Sequence, residues 1–422
     1  MIGKTTWLLR RLFSQIWVRA VSFAVLGVIT ALAGIFLGPL IPDALGARIG
    51  AGSVDQILSI LASSMLAVVT FSLAVAVQAF AAAANTATPR ATKLLQEDHT
   101  TQNVLATFVG AFLFSLVGII ALNAGVYGDK GRVVLFAATI IVIALVVIAL
   151  LRWIDHLMSF GRMGDTLDRV ERAATEALKV RARTPYLGGH PLLDAMPEGA
   201  IEVCSDQIGY VQHVDAEALS ECAEELGAEL WLVALPGTFV HPAEPLLSAS
   251  GAALDDESVH RLRKAFTVES VRTFEQDPRF GLIVLSEIAS RALSPAINDP
   301  GTAIDVVGRL VRILSHWNRP ADSTPDSPRL HVPPVRPADM LEDAFQPIAR
   351  DGAALVEVQV RLQKALAALA RIVPDEFSDA ASAMSAESLE RACKALEADV
   401  DKARVISAVS KSAWGSSRIS PS

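Results

Sequence analysis

The feature that most constrains this chain is a series of long apolar runs that contain no acidic or basic residue. The four runs cover residues 21–41, 57–84, 104–126 and 133–151. Each can cross about 30 Å of hydrocarbon as a helix that rises about 1.5 Å per residue. Lipid offers no hydrogen-bond partner to an open backbone, so the runs are predicted to be transmembrane helices.

Basic residues set the predicted orientation, because cytoplasmic flanks of membrane helices are enriched in Lys and Arg. The bases before the first run are Lys4, Arg10, Arg11 and Arg19. We therefore expect a cytoplasmic N-terminus in a bacterial inner membrane, and an even number of spans returns the C-terminus to the same side. Lys130 and Arg132 on the predicted outer turn are a counter-signal. The alternative is that the first run is a cleaved signal peptide, although it is longer than such segments usually are.

The predicted fold class is a membrane α-helical bundle followed by an α+β cytoplasmic domain with a small β module and C-terminal helices. Over the whole chain, 52% of the residues are hydrophobic and the net charge is -8. The part of the chain after the four apolar runs has the mixed polarity of a globular domain. The predicted segments are a four-helix transmembrane domain (1–152), a helical connector (153–182), the α+β domain (183–319), a proline-rich linker (320–337), a C-terminal helical region (338–414) and a disordered tail (415–422).

The second run carries an unusual stripe of small and polar side chains. Ser59, Ser63, Thr70 and Gln78 recur at intervals that place them on one helical face. Such a stripe allows another helix to approach closely, or it lines a hydrated path. We interpret these residues as pore-lining or helix-packing, and the two readings stay open.

Periodicity changes after residue 200, where short segments rich in β-formers alternate with helical ones. A helix is predicted between Asp215, as its N-cap, and Gly227, as its stop. Further amphipathic helices are predicted over residues 337–349, 352–372 and 386–412.

The densest group of polar residues lies in segment 272–314. Its members are Arg272, Asp277, Arg291, Ser294, Asn298 and Asp299. Asp277 and Asp299 each precede a proline, which is typical of an N-cap followed by the first helical residue. A hydrolytic or phosphate site is the alternative. We favour a structural turn or subunit contact, because no nucleophile elbow, P-loop or metal spacing accompanies these residues.

A family resemblance rests on three segments: RALSPAINDP at 291–300, GYVQ at 209–212 and TPR at 88–90. With these segments the chain resembles a family of predicted bacterial four-span membrane proteins of unknown function. The resemblance covers essentially the whole chain and implies four spans followed by a cytoplasmic domain. It implies no activity.

No cofactor, metal or nucleic-acid partner is predicted. Cys204, Cys222 and Cys393 lack ligand spacing, and the acidic net charge offers no basic face for nucleic acid. Our first hypothesis is a homo-oligomeric channel or permeation pathway in the lipid bilayer, with a cytoplasmic regulatory domain. The alternative is a non-enzymatic scaffold or sensor that binds a cytoplasmic protein or small ligand. No enzyme activity is expected, because no catalytic motif is present.

Overall fold

The computed structural model describes residues 51–86, 88–91, 98–125, 131–159, 162–192, 196–251, 253–318 and 325–411, with isolated residues between 18 and 33. The chain divides into two compact units. We call Ile2–Thr166 the N-terminal unit and Leu167–Ser422 the C-terminal unit.

Long apolar helices form the N-terminal unit. They are α1 (Ala51–Thr86), α2 (His99–Asn123) and α3 (Gly131–Ser159). Among the described residues, three helical stretches are long and apolar enough to cross a membrane: Ser53–Ala82, Thr100–Asn123 and Gly131–Met158. They coincide with the second, third and fourth predicted spans. The first predicted span, 21–41, lies largely outside the described residues.

These helices are apolar on both their inner and outer faces. Leu58, Phe114 and Trp153 are buried between them. On the outside, Phe71 is 65% exposed and Ile141 62% exposed. An apolar exterior around an apolar interior is the arrangement that hydrocarbon favours and water opposes.

The C-terminal unit combines helices with short strands. Its helices are α4 (Met163–Arg183, whose first turn precedes the unit boundary), α5 (Ala216–Leu226), α6 (Asp256–Lys264), α7 (Phe280–Ala292), α8 (Pro300–Leu314), α9 (Pro337–Asp351), α10 (Val356–Ile372), α11 (Pro374–Ala395) and α12 (Asp399–Lys411). Its strands are β1 (His190–Pro191), β2 (Ile201–Cys204), β3 (Gly209–Val214), β4 (Glu229–Leu232), β5 (Phe239–Val240), β6 (Pro245–Ser250), β7 (Phe266–Glu269) and β8 (Leu330–Val332).

The strands make two small sheets. A five-stranded sheet has the order β1-β8-β4-β6-β2, and a three-stranded sheet has the order β5-β3-β7. In the larger sheet β8 lies parallel to β1 and β4, whereas β6 is antiparallel to β4 and β2. Leu230, Leu247 and Leu219 belong to one apolar cluster, which joins the larger sheet to α5. The unit is therefore of the α+β type.

Three helix termini follow the sequence signals closely. The Asp215 carboxylate accepts a hydrogen bond from the Ala218 amide, and Gly227 closes α5 with φ of 65°. At α8, Asp299 accepts from the Thr302 amide and a proline occupies the first turn. These three predicted caps are confirmed, because each depends on residues that are adjacent in sequence.

Other boundaries differ from the predictions. Residues 330–332, inside the predicted proline-rich linker, form β8 and complete the larger sheet between β1 and β4. A three-residue strand is too short for periodicity to reveal, and its burial comes from distant neighbours. The helix predicted over 386–412 is wrong: α11 begins at Pro374, and a break after Ala395 separates it from α12.

Candidate functional site

A buried ion pair lies at the centre of the candidate site. Nη2 of Arg272 is 2.6 Å from Oδ2 of Asp277, and Nε of Arg272 donates to the same oxygen at 2.8 Å. The other oxygen, Oδ1, accepts from the amides of Arg279 and Phe280 at the start of α7. Burial raises the pKa of the Asp277 carboxyl, and the Arg272 guanidinium opposes that shift. Asp277 thus receives three hydrogen bonds and a further ion-pair contact, which hold it in one orientation.

A tight turn brings backbone directly against this ion pair. The Thr238 amide donates to the Leu235 carbonyl at 2.9 Å, with Pro236 and Gly237 between them. Gly237 has φ of +96°. Proline followed by a residue of positive φ is the pattern of a type II turn. A Cβ on Gly237 would meet Oδ2 of Asp277 and come within 2.8 Å of Nη2 of Arg272. Glycine is therefore required here for both conformation and space.

Arg181 is the most unusual side chain in the site. It lies near the end of α4, is 3% exposed, and none of its three guanidinium nitrogens has a hydrogen-bond partner among the described residues. Burial lowers the pKa of Arg181 to about 10, and the charge of Asp277 opposes that shift. An arginine with a pKa of about 10 still carries its charge at neutral pH. Arg181 is therefore a desolvated cation whose donors meet no acceptor in the described part of the chain.

The buried glutamines of the unit show how a buried polar side chain is normally paired. The amide nitrogen of Gln359 donates to the carbonyls of Ala349 and Gly352, and its oxygen accepts from the Ser388 hydroxyl at 2.7 Å. An unmade hydrogen bond costs about 1–3 kcal/mol, and more for a charge. A few neutral hydroxyls, such as those of Ser248 and Ser286, also lack a partner among the described residues, but Arg181 carries a charge and leaves all three guanidinium nitrogens without one.

Arg181, Arg272 and Asp277 line a cavity of about 490 Å³. The cavity is bounded by α4, α7, the start of α9 and the turn that contains Gly237. Its lining residues are Arg181, Val233, Leu235, Pro236, Gly237, Thr238, Arg272, Asp277, Pro278, Arg279, Ile283, Pro334, Val335, Arg336, Asp339 and Asp343. The volume suits a small molecule, since ligand pockets commonly fall between about 300 and 1,000 Å³.

A second ion-pair group lies at the same cavity. Nε of Arg279 is 2.5 Å from Oδ2 of Asp343, and Nη1 is 3.4 Å from Oδ2 of Asp339. Both aspartates belong to α9, so Arg279 joins the start of α7 to that helix. Arg336, which precedes α9, also lines the cavity and is exposed.

The structure brings together only part of the residue group that the sequence singled out. Arg272 and Asp277 line the cavity. The other four lie at the opposite end of α7, which has 13 residues and is about 20 Å long. There the Ser294 hydroxyl donates to the Arg291 carbonyl at 2.7 Å, and Asn298 takes φ of 50° before Asp299 caps α8. Arg279 occupies the N-cap position of α7, and the Asp277 carboxylate, two residues earlier, accepts from the Arg279 and Phe280 amides that open the helix.

The polar stripe of α1 lies on the outside of the N-terminal unit. Ser59, Ser63, Thr70 and Gln78 are all exposed. The Ser63 and Thr70 hydroxyls donate to backbone carbonyls of their own helix. The α1 face that packs inward is instead the one with Leu58. The stripe is thus available to lipid or to another chain.

Sequence reasoning missed Arg181, Arg279 and the two α9 aspartates. One signal was present for Arg181. Its neighbours on the apolar face of α4 are Leu167, Val170, Ala174, Ala177 and Leu178, all buried. Residue 181 continues this spacing, so the sequence places a charge on the buried face of an amphipathic helix. The α9 aspartates had no comparable signal, because they meet Arg279 only through tertiary packing.

Apolar helices of membrane-spanning length, joined to an α+β unit with a charged cavity, define an integral membrane protein with a separate extramembrane domain. Residues 14–368 match the family described as "Predicted membrane protein (DUF2254)", and the chain belongs to that family. This confirms the family resemblance inferred from the sequence.

Curated relatives include uncharacterized proteins of Mycobacterium bovis and Mycobacterium tuberculosis. Each is 29% identical over 286 residues, which cover 63% of this chain and 52% of the relative. The chain therefore spans about half the length of the curated relatives it matches. No solved structure matches the chain.

Proposed function

We propose that this protein is a membrane-embedded sensor whose C-terminal unit binds a small anionic ligand. The observation that carries the proposal is Arg181, a buried guanidinium that lines a cavity and has no acceptor among the described residues. A charge in this position is costly unless an opposite charge pairs with it. An anion in the cavity supplies that pairing. Its binding is then strengthened because it removes the free-energy cost of the unpaired Arg181 charge.

The lining of the cavity favours binding over catalysis, and we propose that the protein is not an enzyme. The Asp277 carboxylate is engaged by Arg272 and two backbone amides. Asp339 and Asp343 are engaged by Arg279. A general base must be free to accept a proton from the substrate, whereas these carboxylates are already paired with arginines.

Connectivity gives a route by which ligand binding affects the membrane helices. Arg181 lies on α4, and the boundary between the two units falls inside this helix, after Thr166. Helix α4 follows the last apolar helix after a short connection. A change in the position of α4 is therefore transmitted along the chain towards the N-terminal unit. We place the C-terminal unit in the bacterial cytoplasm, in accord with the basic N-terminal flank.

The test is ligand-induced stabilisation of the full-length protein in detergent. A panel of carboxylates, phosphates and sulfonates is screened by thermal unfolding, since a ligand that binds only the folded state raises Tm. We expect at least one anion to stabilise the unchanged protein and to have no effect on Arg181→Gln. Arg391→Gln, at an exposed ion pair on α11, is the matched control and should retain the response. Loss of the response in both variants, or in neither, contradicts the proposal.

The exposed stripe on α1 favours a second candidate, a homo-oligomeric permeation pathway in which Ser63 and Thr70 face a shared axis. The stripe supports this candidate because it packs against no other described helix of the same chain. Cysteines at Ser59, Ser63 or Gln78 should then form crosslinks between subunits, whereas a cysteine at Leu58 should not. Planar-bilayer recordings of the purified protein then test whether it conducts ions. Absence of subunit crosslinks at all stripe positions contradicts this candidate.

A further inference from the structure

The charged side chains that line the cavity leave it with one excess positive charge. Four arginines and three aspartates contribute to the lining: Arg181, Arg272, Arg279, Arg336, Asp277, Asp339 and Asp343. Arg272 pairs with Asp277, and Arg279 pairs with Asp339 and Asp343. Arg181 is 3% exposed, and its guanidinium has no hydrogen-bond partner among the described residues. The net formal charge of the lining is +1.

From this arrangement we infer that the ligand carries a single negative charge on an oxyanion head group, either a carboxylate or a phosphodiester. The inference rests on the proposed function and names the class of ligand. The head group is placed against Arg181, whose planar guanidinium matches two oxygens of one anion. One negative charge neutralises the net charge of the lining. Arg272 lines the same cavity and adds a second guanidinium to it.

Multiply charged anions fit this cavity poorly. A pyrophosphate or nucleotide triphosphate would bring more negative charge than the net charge of +1 can neutralise, into a cavity that also contains the carboxylates of Asp277, Asp339 and Asp343. Like charges at short range raise the free energy of binding, and partial burial weakens the screening by water. The net charge of the lining therefore selects against a polyanion.

Apolar side chains form part of the same lining and accept a short apolar tail. Leu235 lies on the turn that contains Gly237, Ile283 on α7 and Val335 immediately before α9, and all three line the cavity. Each methylene buried against these apolar walls should strengthen binding about fourfold. The expected ligand is thus a small amphiphile with its charge against Arg181 and its tail along these walls.

The experiment compares dissociation constants of defined probes for the full-length protein in detergent. The carboxylate series is acetate, propionate and butyrate; dimethyl phosphate represents the phosphodiester and pyrophosphate the polyanion. We expect affinity to rise about fourfold per methylene from acetate to butyrate. Whichever of butyrate and dimethyl phosphate binds more tightly identifies the head group, and pyrophosphate should bind at least tenfold more weakly than that probe.

Variants separate the possible failures. Arg181→Gln should weaken butyrate and dimethyl phosphate at least tenfold, whereas Arg391→Gln should bind them as the unchanged protein does. If pyrophosphate binds most tightly and still depends on Arg181, the inferred ligand class is overturned while the proposed sensor stands. If no probe binds, or if binding is independent of Arg181, both are overturned. A flat response to methylene number overturns the assignment of the apolar walls.

Discussion

The apolar helices of the N-terminal unit and the helical core of the C-terminal unit offer a comparison of buried hydroxyls. Within the apolar helix α3, the buried Thr139 hydroxyl donates to the Leu135 carbonyl one turn earlier, at 2.7 Å. In the C-terminal unit, the Ser388 hydroxyl of α11 instead donates to Gln359 of α10 at 2.7 Å. A helix in lipid satisfies its backbone internally and offers its own carbonyls to such a hydroxyl, whereas a water-facing domain can use buried pairs to join its elements.

This difference explains why one arginine is informative. A buried charge in a water-facing unit has a solvated alternative in the unfolded chain, so its burial has a real cost. Arg181 bears that cost with no hydrogen-bond partner in the described ranges, which is unlike the buried Gln359 of the same unit. Binding sites commonly retain such locally unfavourable residues, because the function requires them.

The largest effect is expected from a substitution in the turn beside the Arg272–Asp277 ion pair. Gly237→Ala should destabilise the protein by about 2–5 kcal/mol, because positive φ is strained for alanine and its Cβ would displace the Arg272–Asp277 pair. Gly199→Ala is the control, since Gly199 has φ of +87° with nothing within 4 Å of a Cβ. The measurement is thermal unfolding of both variants in detergent. Equal losses of stability in Gly237→Ala and Gly199→Ala would contradict the prediction, because they would show that the Arg272–Asp277 pair moves aside without cost.

The next prediction tests the contrast between the units directly. Arg181→Met should stabilise the ligand-free protein by about 1–4 kcal/mol, because it replaces a buried charge, which the nearby Asp277 offsets only in part, with an apolar side chain. Thr139→Val, its counterpart in the N-terminal unit, should change stability by less than about 1 kcal/mol, since one local hydrogen bond is lost. Urea or thermal unfolding provides the comparison. A marked loss of stability in Arg181→Met would assign Arg181 a structural role.

A smaller effect is expected where α4 crosses α7. A Cβ on Gly281 would come within 2.8 Å of the Ala174 Cα, so Gly281→Ala should cost about 1–3 kcal/mol through overpacking. Gly164→Ala, in the first turn of α4 with nothing within 4 Å, should be neutral or stabilising by up to about 1 kcal/mol. Thermal unfolding of the pair separates crowding from helix propensity. A neutral Gly281→Ala would mean that the two helices separate without cost.

The smallest effect concerns the cap of α8 and its dependence on pH. The Thr302 hydroxyl donates to Asp299 and lowers the pKa of that carboxyl. A lowered pKa in the folded state adds stability above the unfolded value of about 3.9, and that stability is lost as pH falls through the folded pKa. Asp299→Ala should remove about 1 kcal/mol at neutral pH and less below pH 3. The measurement is Tm of both proteins from pH 6 to pH 3, and a constant difference would contradict the assignment.

The sequence by itself determined the local features of this protein. Charge-free runs predicted three helices that the structure describes, because a backbone in hydrocarbon has no alternative to internal hydrogen bonds. Caps at Asp215, Gly227 and Asp299 also followed from adjacent residues.

Tertiary structure alone decided the candidate site. Arg181 comes from α4, Asp277 from the approach to α7, Gly237 from a turn after β4 and Asp343 from α9. These residues come together only through the packing of helices and sheets, and their spacing along the sequence does not predict that packing. The same reason accounts for β8, a three-residue strand whose pairing partners lie far away in sequence. Local chemistry specifies elements, whereas the cavity exists only once side chains from four separate segments are buried together.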